Sequence, residues 1–306
     1  MGNIGYACIN MTLGKKGILT GRAMRKATLE AKGLSMASKL ALQNALDLET
    51  IIKWNVENGI YFFRIGSDVF PWGNKVDISQ FPDIQEISKV LHRAGQFANE
   101  HKVRLTTHPG PFNLLASPKE EVVINTIKDL EMHALLFDIM GLSKTPYNKI
   151  NIHVGATYGD KHSASETWCR NFHRLSDSVK CRLTIENDDK ANMYSVVDLY
   201  EMIHSKVGIP ITFDYHHHTF NTGDLSMEEA LRLASTTWKD IKPVAHYSES
   251  KSLHENNSSI NPRAHSDYVT NYIDTFGLDI DIMIEAKAKE LALLQYRKIH
   301  QEILQD

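Results

Sequence analysis

Short apolar runs alternate along this chain with longer stretches in which apolar residues return every three or four positions, and the two periods predict strands and helices in alternation. Eight runs read as strands: Ile4 to Cys8, Tyr61 to Ile65, Val103 to Thr107, Lys149 to Ile152, Arg182 to Ile185, Ile211 to Phe213, Pro243 to Ala245 and Asp281 to Ile284. Helices are predicted at Ser35 to Asn58, Ile84 to Glu100, Pro118 to Met140, Ala164 to Ser178, Ser195 to His204, Met227 to Ala234, Ala264 to Phe276 and Ala286 to Leu304. Gly59, Gly141, Gly208 and Gly277 stand where a left-handed residue commonly closes a helix, and Pro118 after Ser117 suits a first turn. This rhythm, unbroken by a repeat, a low-complexity tract or a linker, predicts the α/β class and a (β/α)8 TIM barrel, with residues 1–306 as a single catalytic domain. The length agrees, since such barrels typically take about 250 residues and often more.

Two stretches follow neither period: Met11 to Gly33 and Ser248 to Pro262, after the first and seventh strands, both polar. Long loops on the βα side of a barrel usually carry function, so both are expected around the mouth of an active site.

Composition adds limits. Hydrophobic residues at 42% and charged residues at 23% describe a globular chain and exclude intrinsic disorder as its default state. The start MGNIGYACINMTLG lacks a basic-then-apolar leader, and no run approaches the roughly 18 apolar residues of a membrane span, so a soluble intracellular protein is expected. Cys8, Cys169 and Cys181 have no paired spacing and suggest neither a disulfide framework nor a structural zinc site. A net charge of -3 runs against a uniformly basic nucleic-acid binder. Charge is uneven, however: Lys15, Lys16, Arg22, Arg25, Lys26, Lys32 and Lys39 face only Glu30 between Gly14 and Leu40, which offers a flank for DNA.

In a (β/α)8 enzyme the reactive side chains project from the C-terminal ends of the strands. The predicted ends carry Tyr6 and Asn10 after the first strand, Arg64 and Asp68 after the second, and His108 after the third. His153 follows the fourth, Glu186 with Asn187 and Asp188 the fifth, Asp214 with His216, His217 and His218 the sixth, His246 the seventh and Glu285 the eighth. His265 lies beyond the long seventh loop. A ring of imidazoles and carboxylates aimed at one small volume is costly unless cations bind there. Mixed nitrogen and oxygen donors without a nearby thiolate suit Mn²⁺ or Zn²⁺ better than Mg²⁺ or Ca²⁺. So many candidates imply two or three ions, and paired ions about 4 Å apart recur in phosphodiester hydrolysis.

His108-Pro109-Gly110-Pro111-Phe112-Asn113 reads as a rigid turn. It either presents Phe112 outward, as an apolar wedge for a DNA stack, or packs it beneath the loop. Tyr6 and Trp72 carry the same two readings, stacking on bases or filling core.

The blocks IGYACINMTL, FRIGSDVFPW, THPGPFN, IHVGATYGDK, IENDD, FDYHHH and MIEAKAKE, in this order over nearly the whole chain, resemble the ultraviolet damage endonuclease family. The resemblance implies a TIM barrel with up to three Mn²⁺-type ions. It also implies incision of duplex DNA immediately 5′ of pyrimidine dimers and (6-4) photoproducts, leaving a 3′-hydroxyl, with activity at abasic sites as a related possibility. Position by position it marks Asp68, His108, His153, Glu186, Asp214, His217, His246, His265 and Glu285 as metal ligands. Glu186 or Glu285 would bridge ions, and His217 and His246 would hold the ion at the departing 3′-oxygen. Tyr6, Asn10, Pro111, Phe112 and Lys287 match DNA- or lesion-contacting positions. Two departures stand out: Pro111 replaces an amide residue in the probing turn, and Val244 occupies a position where some members carry a modified lysine, so no such modification is expected there. A monomer suffices for this role. The competing reading is a metal-dependent sugar isomerase, which gathers similar residues at the same strand ends but needs a small closed pocket.

Overall fold

The computed structural model describes residues 2–301, and all eight predicted strands form. They are β1 (Ile4–Ala7), β2 (Phe62–Ile65), β3 (Arg104–Thr107), β4 (Ile150–His153), β5 (Leu183–Glu186), β6 (Ile211–Asp214), β7 (Val244–Tyr247) and β8 (Asp281–Ile284). Each pairs in parallel with the next, and β8 returns to β1, so the sheet closes into a barrel in chain order. Gly5 is required by this closure: a Cβ there would lie 2.4 Å from the Phe62 carbonyl oxygen of the neighbouring strand.

Alternation along each strand separates two environments. Ile4, Tyr6, Phe63, Ile65, Ile150, Ile152, Leu183 and Ile185 join the helices in one large apolar core. On the opposite face Ala7, Phe62, Val244 and Met283 form a small separate cluster with Trp238. The rest of the lumen is polar. Arg104 and Asp281, both fully buried, pair at 2.9 Å, and Arg104 also donates to the carbonyls of Tyr147 and Lys242. Higher up, Thr212 donates to Thr184 and Thr184 to Asn151. Saturating its donors is what makes a buried guanidinium tolerable. The polar layers carry the strand ends above them.

The helix at Ile84–Glu100 coincides with its prediction, while others shift. A short helical segment begins at Lys26 and takes up part of the predicted loop, but it breaks at Gly33, whose φ of 65° and ψ of -169° are not helical. The first long helix continues from that kink to Glu57, close to the predicted Ser35 to Asn58. Lys161–Phe172 ends early, and Asp177–Lys180 forms a separate turn capped by Ser176. The helix predicted at Ala264 to Phe276 is absent. Its backbone is held instead by the buried carboxylate of Glu249, which accepts from the amides of Thr270 and Asn271, and by an antiparallel bridge between Ser250 and His265. A side chain that satisfies backbone donors removes the incentive for helical bonds. The last helix spans Glu290–Ile299, because the amides of Lys287 and Ala288 turn back to Ser266 and Asp267; its predicted continuation to Leu304 lies partly outside the described residues. Among the described residues no helix is long and apolar enough to cross a membrane.

Candidate metal centre

Ladder register places the candidate ligands side by side: His153 is paired with Glu186 across β4 and β5, and Asp214 with His246 across β6 and β7. Glu186 is the hub. Its Oε2 lies 3.1 Å from His108 Nε2 and 3.1 Å from His246 Nδ1, and its Oε1 lies 3.5 Å from His217 Nδ1 and 3.8 Å from His153 Nε2. Three groups result, His108–Glu186–His246, His153–Glu186–His217 and Asp214–His246–Glu285, with donor atoms in each within 4.8 Å of one another. Seven of the nine predicted ligands thus converge.

The other two do not join these groups. Asp68 is exposed and lines a cavity of about 320 Å³ with Asn10, Thr20 and Gly66. His265 stands at the margin, its Nδ1 2.9 Å from the Glu285 carbonyl oxygen and its ring edge-on to His216. Both positions depend on how a loop runs, which strand-end spacing does not specify.

Burial shapes the charges. It opposes ionisation of Glu186, yet His246 and His153 beside it hold the carboxyl well below the ordinary carboxylate range. Burial lifts Asp214 to about 7, and the nearby Glu186 and Glu285 add to the rise against the pull of His217. For His153, burial favours the neutral ring, but Glu186 and Asp188 raise it to about 10. His246 is driven down to about 4 by burial, with Lys149 acting in the same direction. Glu285 is lowered despite burial by Arg64, which donates to its Oε1, and by His246.

Two buried atoms in the third group have no hydrogen-bond partner among the described residues: Asp214 Oδ2 and His246 Nδ1. The latter sits 3.1 Å and 3.2 Å from carboxylate oxygens of Glu186 and Glu285 without the alignment of a hydrogen bond. Buried polar atoms left unpaired are costly, and nitrogen and oxygen donors converging around them fit a divalent cation. The supporting contacts also suit ligation. Asp214 Oδ1 accepts from the His217 amide, His217 Nδ1 lies 2.8 Å from the Asn187 carbonyl oxygen, and Asn151 donates to Glu186.

Strand-end reasoning passed over Lys149. Its fully buried Nζ lies 3.0 Å from His246 Nε2, and burial pulls the amine well below its usual pKa. A lysine opening a predicted strand that otherwise alternates Ile150, Asn151 and Ile152 was the signal available. Val244 packs among Phe62, Trp238 and Met283.

The DNA-directed candidates divide. Phe112 is 85% exposed, which removes the reading that it packs under its loop, and Pro111 beside it is exposed as well. Lys287 is exposed. Tyr6 is instead fully buried on the helical side of β1, its hydroxyl donating to Asn55 and accepting from Asn10; Asn10 in turn caps the short helix Met11–Gly14. Alternation puts Tyr6 on the face opposite Ala7, so it meets the first long helix and not the lumen. Trp72 is half-buried and donates to the Met24 carbonyl. In the basic stretch Arg22 is spent on the carbonyls of Leu19 and Gly17 and on Asp47, and Lys26 reaches Glu30 at 3.7 Å. Lys15, Lys16, Arg25, Lys32 and Lys39 are exposed and form no ion pair among the described residues.

A closed parallel barrel whose strand ends bring buried histidines and carboxylates together defines a TIM barrel with side-chain groups at its mouth that could hold metal ions. The chain belongs to the UV-endonuclease UvdE family, whose profile matches residues 2–305. It is 36% identical over 306 residues to the UV-damage endonuclease of Schizosaccharomyces pombe, covering 96% of this chain but 50% of that protein. It is 34% identical over 302 residues to the UV DNA damage endonuclease of Clostridium perfringens, covering 95% of this chain and 69% of the relative. This chain thus spans about half the length of the first relative. Among solved structures the crystal structure of SacUVDE superposes with a TM-score of 0.85 at 32% identity, covering 99% of each chain.

Proposed function

We propose that this protein is a metal-dependent DNA repair endonuclease that incises duplex DNA immediately 5′ of ultraviolet photoproducts, with abasic sites as further substrates, and that it acts as a monomer. The observation that carries this reading is the cluster around Glu186, in which seven histidines and carboxylates form three groups with donor atoms within 4.8 Å of one another and Asp214 Oδ2 and His246 Nδ1 have no hydrogen-bond partner among the described residues. Family membership and the exposed Phe112, four residues after His108, support DNA as the partner.

His108, His153, Glu186, Asp214, His217, His246 and Glu285 would hold two or three divalent ions, with Mn²⁺ the best match and Zn²⁺ or Mg²⁺ as alternatives. Such ions supply Lewis acidity to a phosphoryl oxygen and acidify water near neutral pH. Glu186 belongs to two of the three groups, so it suits a bridging role. Arg64 offsets negative charge at Glu285, Lys149 meets the outer nitrogen of His246, and Asn151 and Asn187 fix the orientation of Glu186, Asp214 and His217. Phe112 would enter the stack at the distorted step, and the five unpaired cations between Lys15 and Lys39 would follow the phosphates. A sugar isomerase would enclose its substrate; here the cleft beside His153 and His217 extends along the loops to Pro111 and Lys190.

Supercoiled plasmid, irradiated or not, incubated with the protein and Mn²⁺ tests the assignment. Nicking confined to the irradiated plasmid is expected; equal absence of nicking in both would sink it. Phe112→Ala should weaken binding to irradiated duplex by about tenfold, within the usual worth of one aromatic–base stack, while Mn²⁺ uptake stays unchanged. A fluorescence-anisotropy titration measures the first and metal analysis the second.

A further inference from the structure

The turn that exposes Phe112 is held from outside itself. Its own closure consists of the Asn113 amide and side chain, which donate to the Gly110 carbonyl at 3.2 Å and 3.0 Å. The same Asn113 Nδ2 also donates to Asp129 Oδ2 at 2.9 Å, and the amide of Leu114 donates to Thr126 Oγ1 at 2.9 Å. Asp129 and Thr126 lie on the helix Glu120–Ile139. The second oxygen of Asp129 is committed elsewhere: Oδ1 accepts from Asn74 Nδ2 at 2.7 Å, and Asn74 belongs to the loop after β2. One carboxylate therefore ties the loops of two adjacent strands together, one oxygen to each. Between those loops lies a cavity of about 550 Å³ with Phe112, Trp72 and Asp68 on its walls.

The chemistry of the latch is specific. An ionised carboxylate is acceptor-only and receives two amides at once, whereas an amide in its place turns a donor toward one of them. His133 Nε2 lies 3.8 Å from Asp129 Oδ2, with Nδ1 3.1 Å from Thr107 Oγ1, so the link continues into the end of β3 just before His108. Asp129 takes no part in the three donor groups.

We propose that Asp129 is a positioning residue for the aromatic wedge: it holds the Gly110–Asn113 turn against the loop after β2, so that Phe112 meets the duplex already ordered. The proposal rests on the reading of Phe112 as a lesion probe. Ordering completed in the free protein need not be repeated on binding, and affinity gains accordingly. Asp129→Asn is expected to raise KM for irradiated duplex about tenfold, leave kcat within about twofold, and leave Mn²⁺ stoichiometry unchanged.

The decisive measurement is a double-mutant cycle with Phe112→Ala in the full chain. If Asp129 acts through the turn, the double variant binds no more weakly than Phe112→Ala alone; fully additive losses would overturn the proposal. Hydrogen exchange without DNA provides a separate check. The amides of Asn113 and Leu114 should exchange faster in Asp129→Asn and in Asn74→Ala, the latter cutting only the link to the loop after β2 and serving if the first variant folds poorly. Unchanged exchange in a folded variant would refute the latch. Faster exchange combined with wild-type protein that nicks no irradiated DNA would refute the lesion reading and leave the latch standing.

Discussion

Glu186→Gln should lower nicking of irradiated DNA by about 10³-fold or more while the variant stays folded. The side chain faces four imidazoles and serves two of the three donor groups, so its charge is shared by more of the centre than that of any other member. Loss of a metal's contribution removes several kcal/mol of transition-state stabilisation, and each 1.4 kcal/mol or so is a factor of ten in rate. Glutamine keeps the shape and the acceptor for Asn151 but leaves the protonated, buried His153 without its main counter-charge, so the metal-free variant should melt below the parent while remaining folded. His153, raised largely by Glu186, should titrate nearer its ordinary value in the variant. Single-turnover nicking, Mn²⁺ stoichiometry and NMR titration of the imidazoles together check the prediction. A variant within tenfold of parental activity would show that the hub assignment is wrong.

Chelation should abolish nicking, and restoring Mn²⁺ should recover it with release of protons. The direction follows from the charges: His153, lifted to about 10, holds a proton at pH 7, and Asp214, raised by burial, is more readily protonated than an ordinary carboxylate. Both must lose their protons to become ligands, so uptake near pH 7 should release roughly one or two protons, and affinity should fall as pH drops. Calorimetry in buffers of different ionisation enthalpy reads this number. Saturating ion at about 100 times its dissociation constant adds about 2.7 kcal/mol to folding, which for a chain of this size raises Tm by roughly 5 °C. Heats independent of buffer, together with an unmoved Tm, would mean that these side chains take up no cation.

The strands were legible because each is a short apolar run bounded by polar residues, and a parallel barrel buries such runs on the outer face whatever the rest of the chain does. Once eight were placed, the residue at or just after each strand end was a local matter, which is why His108, His153, Glu186, Asp214, His217, His246 and Glu285 could be picked out as strand-end groups. Side-chain direction was less accessible. Tyr6 lies one residue from Ala7, yet it faces the helices while Ala7 faces the lumen, and a slip of one position reverses that assignment.

Asp68 and His265 show where local reading stops, because their places depend on the path of loops held by distant groups such as Glu249. The missing helix at Ala264 to Phe276 has the same cause. Lys149 is a different case: its partner His246 is three strands further round the barrel, and the two meet only because the sheet closes. Sequence alone therefore determined which residue types stand at the strand ends, since periodicity and apolar burial act over a few neighbouring positions. Only the closed barrel decided which of them share one Glu186, which donor atoms are left unpaired and which turn Asp129 holds, because those contacts join segments that only tertiary packing brings together.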